Sequence, residues 1–211
     1  MAGGIIGKLA GDMASDALGL SEFCKVVRPD SYNKTLSDDF VLEETGETIY
    51  FLLKSRTDEY CFTNRAIIIV DSDNATSGRK EIKRYEYSDN RINNISIVTA
   101  ARIDLTTELV FSINDLDIKI SVERAFLEEL KDLYKVLVEI DIAQGRAVDT
   151  YDCAKKSVDF ATKAIGKLAQ VNDVLSLYKA LIDYNDTYIY QRYQESFGFD
   201  FSELYEKYIN N

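Results

Sequence analysis

The period of the hydrophobic pattern changes once, at Arg124, and this change constrains the fold more than any motif does. Between Thr48 and Glu123, short runs rich in β-branched and aromatic residues alternate with turn residues. Such runs, spaced roughly 8–12 residues apart, predict an all-β sandwich or barrel of about seven strands. After Arg124 the apolar residues recur at helical spacing, which predicts an amphipathic helix. The sequence therefore predicts an α+β fold in which a strand-rich region is followed by helices.

One predicted strand, Ala66 to Val70, is apolar throughout although the chain is acidic. Neighbouring side chains on a strand point to opposite faces, so Ile68 faces away from Ile67 and Ile69. The strand is therefore expected to be buried on both sides, with its outer face covered by the N-terminal arm, a C-terminal helix or another subunit. The Thr63-Asn64-Arg65 stretch before it is interpreted as the turn of a tight hairpin. The predicted strands span residues 48–55, 59–62, 66–70, 79–88, 94–104, 108–113 and 118–122.

The helical third of the chain is predicted in separate pieces. A first helix is expected to end near Gly145, since glycine is favoured just after a helix C-terminus. A second is expected to begin at Asp149, a residue typical of N-caps, and a third near Asn172. Asp200 and Glu203 have the spacing of a capping box before a last short helix. A further short helix is predicted over residues 36–43, before a turn at Thr45-Gly46.

Composition excludes several classes of function. The net charge of −11 argues against nucleic acid, whose binding requires clustered Lys and Arg, and against electrostatic docking on an anionic membrane. The chain has no His, the commonest general base and metal ligand. No stretch approaches the ~20 apolar residues of a transmembrane helix. The N-terminus also lacks the regions of a signal peptide.

The cysteines indicate a compartment. Cys24, Cys61 and Cys153 are odd in number, widely spaced and in no CxxC motif. Reduced thiols in the cytoplasm account best for this pattern.

Catalytic and metal-binding motifs find little support. The sequence has no GxSxG, P-loop, GxGxxG or zinc-ligand spacing. Residues 71–82, DSDNATSGRKEI, superficially resemble a calcium loop. Their glycine stands at the eighth position rather than the sixth, and the twelfth residue is Ile82 rather than Glu. We interpret the stretch as a hairpin loop, and we expect no cofactor, no metal and no enzymatic activity.

Two cations in the first hairpin turn, Lys54 and Arg56, are weak candidate contacts for an anion or a lipid headgroup. Asp58 and Glu59 dilute their charge, and two cations fall short of a phosphate-binding cluster. Solvated hairpin charges are the alternative interpretation. The denser basic run, residues 79–84, divides its cations between the two faces of a strand.

The C-terminal helices carry the strongest functional indication. About 65 residues of helix are too few to form a well-buried core alone, so their apolar surface must pack on the barrel or on another chain. We favour burial between subunits for the segment as a whole, while an intramolecular core remains the alternative for any one residue. The candidate oligomer contacts are Val158, Ala161, Ile165, Leu168, Tyr178, Phe197, Phe199 and Phe201.

Several stretches resemble a known family. FTNRAIIIVD (62–71), RKEIKRYEYS (79–88), ISIVTAARIDLTTELVFSI (95–113) and the closing helix make residues 36–142 resemble the bacterial PH domain family. The region from 145 to 211, ending in FGFDFSELYEKY (197–208), resembles a YvbH-like oligomerisation region. The resemblance implies a seven-stranded, partly open barrel capped by a helix, and homo-oligomers. It implies no ligand.

The resemblance and the residues together predict three parts: an N-terminal arm (1–35), a PH-like domain (36–143) and a helical oligomerisation extension (144–211). The predicted function is a cytoplasmic, non-catalytic, homo-oligomeric scaffold of unknown ligand. A peripheral membrane or lipid-headgroup binding module is the alternative. A third hypothesis is a protein or peptide partner that adds a strand to an open barrel edge.

Overall fold

The computed structural model describes residues 22–71, 80–99, 105–168 and 174–209. The predicted N-terminal arm up to residue 21 and the calcium-like loop over 72–79 therefore lie outside the described residues. The strands are β1 (Lys25–Val26), β2 (Ile49–Lys54), β3 (Glu59–Thr63), β4 (Ala66–Asp71), β5 (Glu81–Glu86), β6 (Ile92–Thr99), β7 (Thr106–Ile113) and β8 (Leu116–Glu123). The α-helices are α1 (Leu127–Leu168), α2 (Val174–Phe197) and α3 (Ser202–Tyr208).

The strands form two antiparallel sheets, one of five strands in the order β1-β2-β3-β4-β5 and one of three in the order β6-β7-β8. The short β1 joins the sheets on one side. Its neighbour Cys24 donates its N–H to the Ser121 carbonyl (2.8 Å) and accepts from the Glu123 N–H (2.9 Å). Strands β2 to β8 correspond to the seven that the sequence predicted, and the PH-like α+β fold with a following helix is confirmed.

Strand β4 is buried on both faces, as its composition predicted. On one face Leu52, Cys61 and Ile68 lie in register across β2, β3 and β4. Val27 joins this cluster, and Tyr32 and Val41 pack against it. Residues 27–41 thus cover this face, and of these, residues 27–35 belong to the predicted N-terminal arm.

The opposite face of this sheet points toward the second sheet. The rings of Phe51 and Phe62 meet edge to face with centroids 6.3 Å apart, and Phe62 lies 6.3 Å from Phe111 on β7. Ile67 is in register with Phe62 and shares its face. The apolar β4 therefore lies between a covering segment and the interior that the two sheets share.

Helix α1 has no break between Gly145 and Asp149, where the sequence predicted one. It is one helix of 42 residues and runs without interruption through Gly145 and Asp149. The predicted stop and the predicted N-cap are both wrong. A glycine inside a helix costs only about 1 kcal/mol relative to alanine, and the buried Gln144 and Ala147 on either side supply tertiary packing.

Two smaller predictions have different outcomes. The short helix predicted over 36–43 is instead a pair of 3-10 turns, Ser37–Phe40 and Glu43–Thr45. The second turn ends at Gly46 with φ of 83°, a left-handed conformation that glycine adopts without a steric penalty. The start predicted near Asn172 lies outside the described residues.

The chain divides into two compact units. The first comprises the described residues up to Asp141, which we call the sheet unit, together with residues 200–209. The second, the helical unit, comprises the described part of 142–199. Residues 25–26 pair within the sheet, inside the predicted arm. Residues 200–209 group with the sheets although they lie inside the predicted extension.

Candidate functional site

The last described residues, 200–209, dock on the sheet unit, and we call them the anchor segment. Phe201 and Tyr205 are its deepest side chains, 5% and 0% exposed. The Phe201 N–H donates to the Asn64 carbonyl (2.9 Å), and the Phe201 ring meets Tyr87 edge to face at 5.3 Å. The Tyr205 ring stacks on Tyr50 at 5.1 Å. We call Tyr50, Asn64 and Tyr87 the anchor seat.

The anchor segment uses one face of a helix. Phe201, Tyr205 and Tyr208 stand at the i, i+4 and i+7 spacing by which short helices bind apolar grooves. The Tyr208 hydroxyl donates to Oε1 of Glu139 on α1 (3.3 Å), and the Lys135 ammonium lies 5.9 Å from the Tyr208 ring centroid. Helix α3 has only seven residues, too few to be stable in water without such contacts.

A hydrogen bond of 2.7 Å joins the hydroxyls of Tyr87 and Tyr205 at the bottom of the seat. Burial raises the pKa of both phenols above the ordinary tyrosine value. Both hydroxyls are therefore neutral at physiological pH. Each places one polar group in an otherwise apolar contact, where an unpaired hydroxyl would be costly.

Asp200, the first residue of the anchor segment, lies beside the polar turn Thr63-Asn64-Arg65. Partial burial opposes ionisation of Asp200, but hydrogen bonds from Ser202 and Asn64 and the charge of Arg65 outweigh this and lower its pKa. The Asn64 side chain also accepts the Thr48 N–H (2.9 Å), which fixes the turn.

Sequence reasoning interpreted this turn only as a hairpin connection and missed Asn64, Tyr87 and Tyr205 as docking residues. The helical spacing of the three aromatic residues in the anchor segment was the available signal for the segment itself. Nothing in the local sequence indicated where on the sheet unit that segment docks.

The predicted oligomer contacts fall in three places. Phe201 is buried in the anchor seat of its own chain, while Val158 and Ala161 are half-buried in the helical unit. Phe197 packs in an aromatic cluster with Tyr193 (5.0 Å) and Phe199 (6.2 Å). The side chains of Ile165, Leu168 and Tyr178 lie outside the described part of the helices. A role of any of these residues between subunits stays a prediction.

Aromatic side chains also lie on the other side of both long helices. Phe160 lies nine residues after Tyr151, about two and a half turns of an α-helix, so it projects from the opposite side. Tyr151 contacts Phe197 (5.6 Å), whereas Phe160 is 75% exposed. On α2, Tyr188 lies nine residues before Phe197 and stacks on Tyr184 (5.9 Å), which is 65% exposed. Phe160 was not among the predicted oligomer contacts.

The structure places Lys54 and Arg56 in different environments. Lys54 forms an ion pair with the buried Glu59, and its side chain is only 12% exposed. Glu59 also accepts the backbone N–H groups of Leu36 (3.1 Å) and Ser37 (2.8 Å). Burial opposes ionisation of Glu59, but Lys54 and these N–H groups outweigh it and lower its pKa. Only Arg56 is left exposed in this turn.

The basic side chains of β5 are likewise paired with carboxylates. Arg84 donates to the buried Glu47 (3.0 Å) and to Glu86 (2.6 Å), and Lys83 pairs with Glu81 (3.1 Å). Glu47 also accepts the Thr63 hydroxyl (2.5 Å) and the Leu42 N–H (2.8 Å). Burial opposes ionisation of Glu47, yet these partners lower its pKa. The two buried carboxylates thus fix residues 36–42 to the sheet.

A groove of about 560 Å³ lies beside Glu47, lined by Asp30, Asp38 and Glu43 among others. Its acidic lining does not favour an anionic ligand. Among the described residues, no group of three or more His, Cys, Asp or Glu side chains is placed to hold a metal ion. In the same part of the chain, none of the helices is both long and apolar enough to span a bilayer.

The fold has two antiparallel sheets followed by a closing helix, and residues 200–209 pack on the sheets. This arrangement defines a PH-like domain with a helical extension. Residues 17–140 match the family model described as the bacterial PH domain, and residues 152–211 match the YvbH-like oligomerisation region. The chain belongs to the bacterial PH domain family, and it carries this oligomerisation region. The resemblance inferred from the sequence is confirmed.

Two similar proteins cover nearly the whole chain. One is the uncharacterised protein YvbH of Bacillus subtilis (strain 168), 38% identical over 200 residues, which are 94% of this chain and 98% of YvbH. The other is a PH-domain-containing bacterial protein of Exiguobacterium sibiricum 255-15. Its crystal structure matches with a TM-score of 0.81 and 35% identity, over 89% of this chain and 100% of that one.

Proposed function

We propose that the chain is a non-catalytic scaffold that assembles with copies of itself through its helical unit. The observation that carries this proposal is the presence of aromatic side chains on both sides of the two long helices. Aromatic residues are enriched in protein interfaces. Phe160 and Tyr184 are 75% and 65% exposed in the single chain. A second copy would cover them.

The exposed aromatic surface would supply part of a specific interface. Phe, Tyr and Trp each bury roughly 150–250 Å² when covered, and a standard interface buries about 800 Å² per partner. Phe160 and Tyr184, which are 75% and 65% exposed, would therefore supply a substantial part of one interface. Aromatic residues are also the type that interface cores favour.

We also propose that the protein resides in the cytoplasm and has no catalytic activity. Cys24, Cys61 and Cys153 are all free thiols, and Cys153 is exposed. Free thiols persist in a reducing compartment. The PH-like fold fits an interaction role, and the buried carboxylates of the sheet unit are engaged in holding its own backbone.

Mass measurement by light scattering tests the proposal. The unmodified chain is expected to elute as an oligomer at micromolar concentration. Phe160→Lys and Tyr184→Lys are each expected to lower the mass, because each would place a charge in the interface. Gln194→Lys, at an exposed position of the same unit, is the matched control and should leave the mass unchanged. A monomeric unmodified chain would overturn the proposal.

The alternative of lipid-headgroup binding has less support. Its two candidate cations were Lys54 and Arg56, and Lys54 is neutralised by Glu59. Sedimentation with anionic vesicles at low salt, where surface charges are screened least, is expected to leave the chain in the supernatant.

A further inference from the structure

The anchor segment is part of the oligomerisation region in sequence but packs on the sheet unit in space. It lies inside the matched oligomerisation region, residues 152–211. Its contacts, however, are made with the sheet unit, through Asn64, Tyr50 and Tyr87. The anchor seat is therefore where the oligomerisation region meets the PH domain.

We propose that, in the assembled protein, the anchor segment of one copy occupies the anchor seat of a second copy. This exchange rests on the proposed homo-oligomer. In the isolated chain the segment fills its own seat. The contacts described above join the segment to the sheet unit, so the same hydrogen bonds and ring contacts form with a segment from either source. Exchange of an identical element between copies is a low-cost route to association.

The covalent connection supports exchange. The anchor segment is joined to its own sheet unit only through residues 142–199, the separate helical unit. If that unit brings copies together, it also brings each anchor segment near the seats of its neighbours. A second, linked contact then forms at a high effective concentration and strengthens the assembly without new surface.

The residues between the end of helix α2 and the anchor segment are suited to directing the segment to a neighbouring seat. Helix α2 ends at Phe197, and the Gly198 N–H makes a last helical hydrogen bond to the Gln194 carbonyl (3.0 Å). A Cβ at residue 198 would lie 2.7 Å from that carbonyl oxygen. The junction therefore needs glycine, and the path from Gly198 to Asp200 selects which seat is filled.

Filling every seat is also energetically favoured. An undocked anchor segment would expose Phe201 and Tyr205, and its seven-residue helix would not persist in water. An empty seat would expose Tyr87, which is otherwise 1% exposed. In an exchanged assembly each seat and each segment is satisfied by a neighbour.

Crosslinking of two different chains, each with one accessible cysteine besides the buried Cys24 and Cys61, tests the exchange. The Tyr50 hydroxyl donates to Glu206 across the seat (3.3 Å). In a Cys153→Ser background, one chain carries Tyr50→Cys and a second, of different tag length, carries Glu206→Cys. The two are co-expressed and treated with a short bismaleimide. We expect a covalent heterodimer on a denaturing gel that is absent when either chain is treated alone.

The result separates the two proposals. A chain that light scattering shows to be oligomeric but that yields no heterodimer would overturn the exchange and leave the scaffold proposal standing. A monomeric chain would overturn both. The second pair, Lys135→Cys with Tyr208→Cys, reports on the other end of the seat. It decides the question if the first pair fails to fold by circular dichroism.

Discussion

Single hydroxyl groups decide how well the anchor segment is held. The Tyr205 side chain is fully buried, and its hydroxyl is hydrogen bonded to that of Tyr87. A typical hydrogen bond contributes only about 1 kcal/mol net, but a buried polar group that loses its partner costs roughly 1–3 kcal/mol. The asymmetry makes a conservative substitution in the seat informative.

We expect Tyr87→Phe to lower the free energy of unfolding by about 1–3 kcal/mol, because the Tyr205 hydroxyl then loses a buried partner. Urea denaturation measures it. The double variant Tyr87→Phe with Tyr205→Phe should show a coupling energy of about 0.5–3 kcal/mol. Tyr190→Phe, at an exposed position, is the matched control, and an equal effect of Tyr87→Phe and this control would contradict the prediction.

The buried carboxylate of Glu47 makes stability depend on pH. Its pKa in the folded chain lies below the ordinary value of 4.5. Ionised Glu47 therefore stabilises the folded chain at pH values above the ordinary glutamate pKa. This contribution is lost as the pH falls through the pKa that Glu47 has in the folded chain. We expect Glu47→Gln to be less stable than the unmodified chain at neutral pH, with a gap that narrows below about pH 4.5. Urea denaturation over a pH series measures the gap, and a constant gap would contradict the assignment.

At the scale of elements, local signals found the strands and the last short helix, but they failed at the predicted break within α1. Alternation and turn residues depend on near neighbours, so β2 to β8 were predicted close to their observed bounds. The signals at Gly145 and Asp149 were equally local, but tertiary packing overrides weak helix propensities. The docking of the anchor segment on Asn64 joins residues more than a hundred positions apart. No periodicity encodes such a contact.

The continuity of α1 is itself testable. Gly145→Pro is expected to cost about 3 kcal/mol, because proline inside a helix removes a hydrogen bond and clashes with the preceding turn. Thermal unfolding followed by circular dichroism measures the loss. Gly198→Pro is not an equivalent control, since the N–H of Gly198 is hydrogen bonded at a helix end. Gly145→Ala keeps the backbone N–H and has the higher helix propensity, so it should cost much less than Gly145→Pro. Equal effects would contradict a continuous helix.

For the whole molecule, the anchor segment makes the stability of the PH domain depend on the end of the chain. The sheet unit has a core of its own, in which Phe51, Phe62 and Phe111 meet. Phe201 and Tyr205 of the segment contact Tyr87 through a ring contact and a hydrogen bond. The oligomerisation region thus completes the domain, whether the segment comes from the same chain or from a neighbour.

Deletion of residues 200–211 is therefore expected to destabilise the sheet unit rather than only to change the assembly. The loss should be roughly 3–5 kcal/mol, as for removal of a large buried aromatic side chain. It is measured by urea denaturation, followed by near-ultraviolet circular dichroism of the tyrosines. Glu203→Ala, an exposed position in the same short helix, should stay within about 0.5 kcal/mol of the unmodified chain. A truncated chain as stable as this control would show that the seat tolerates exposure, and the PH domain would then be independent of its extension.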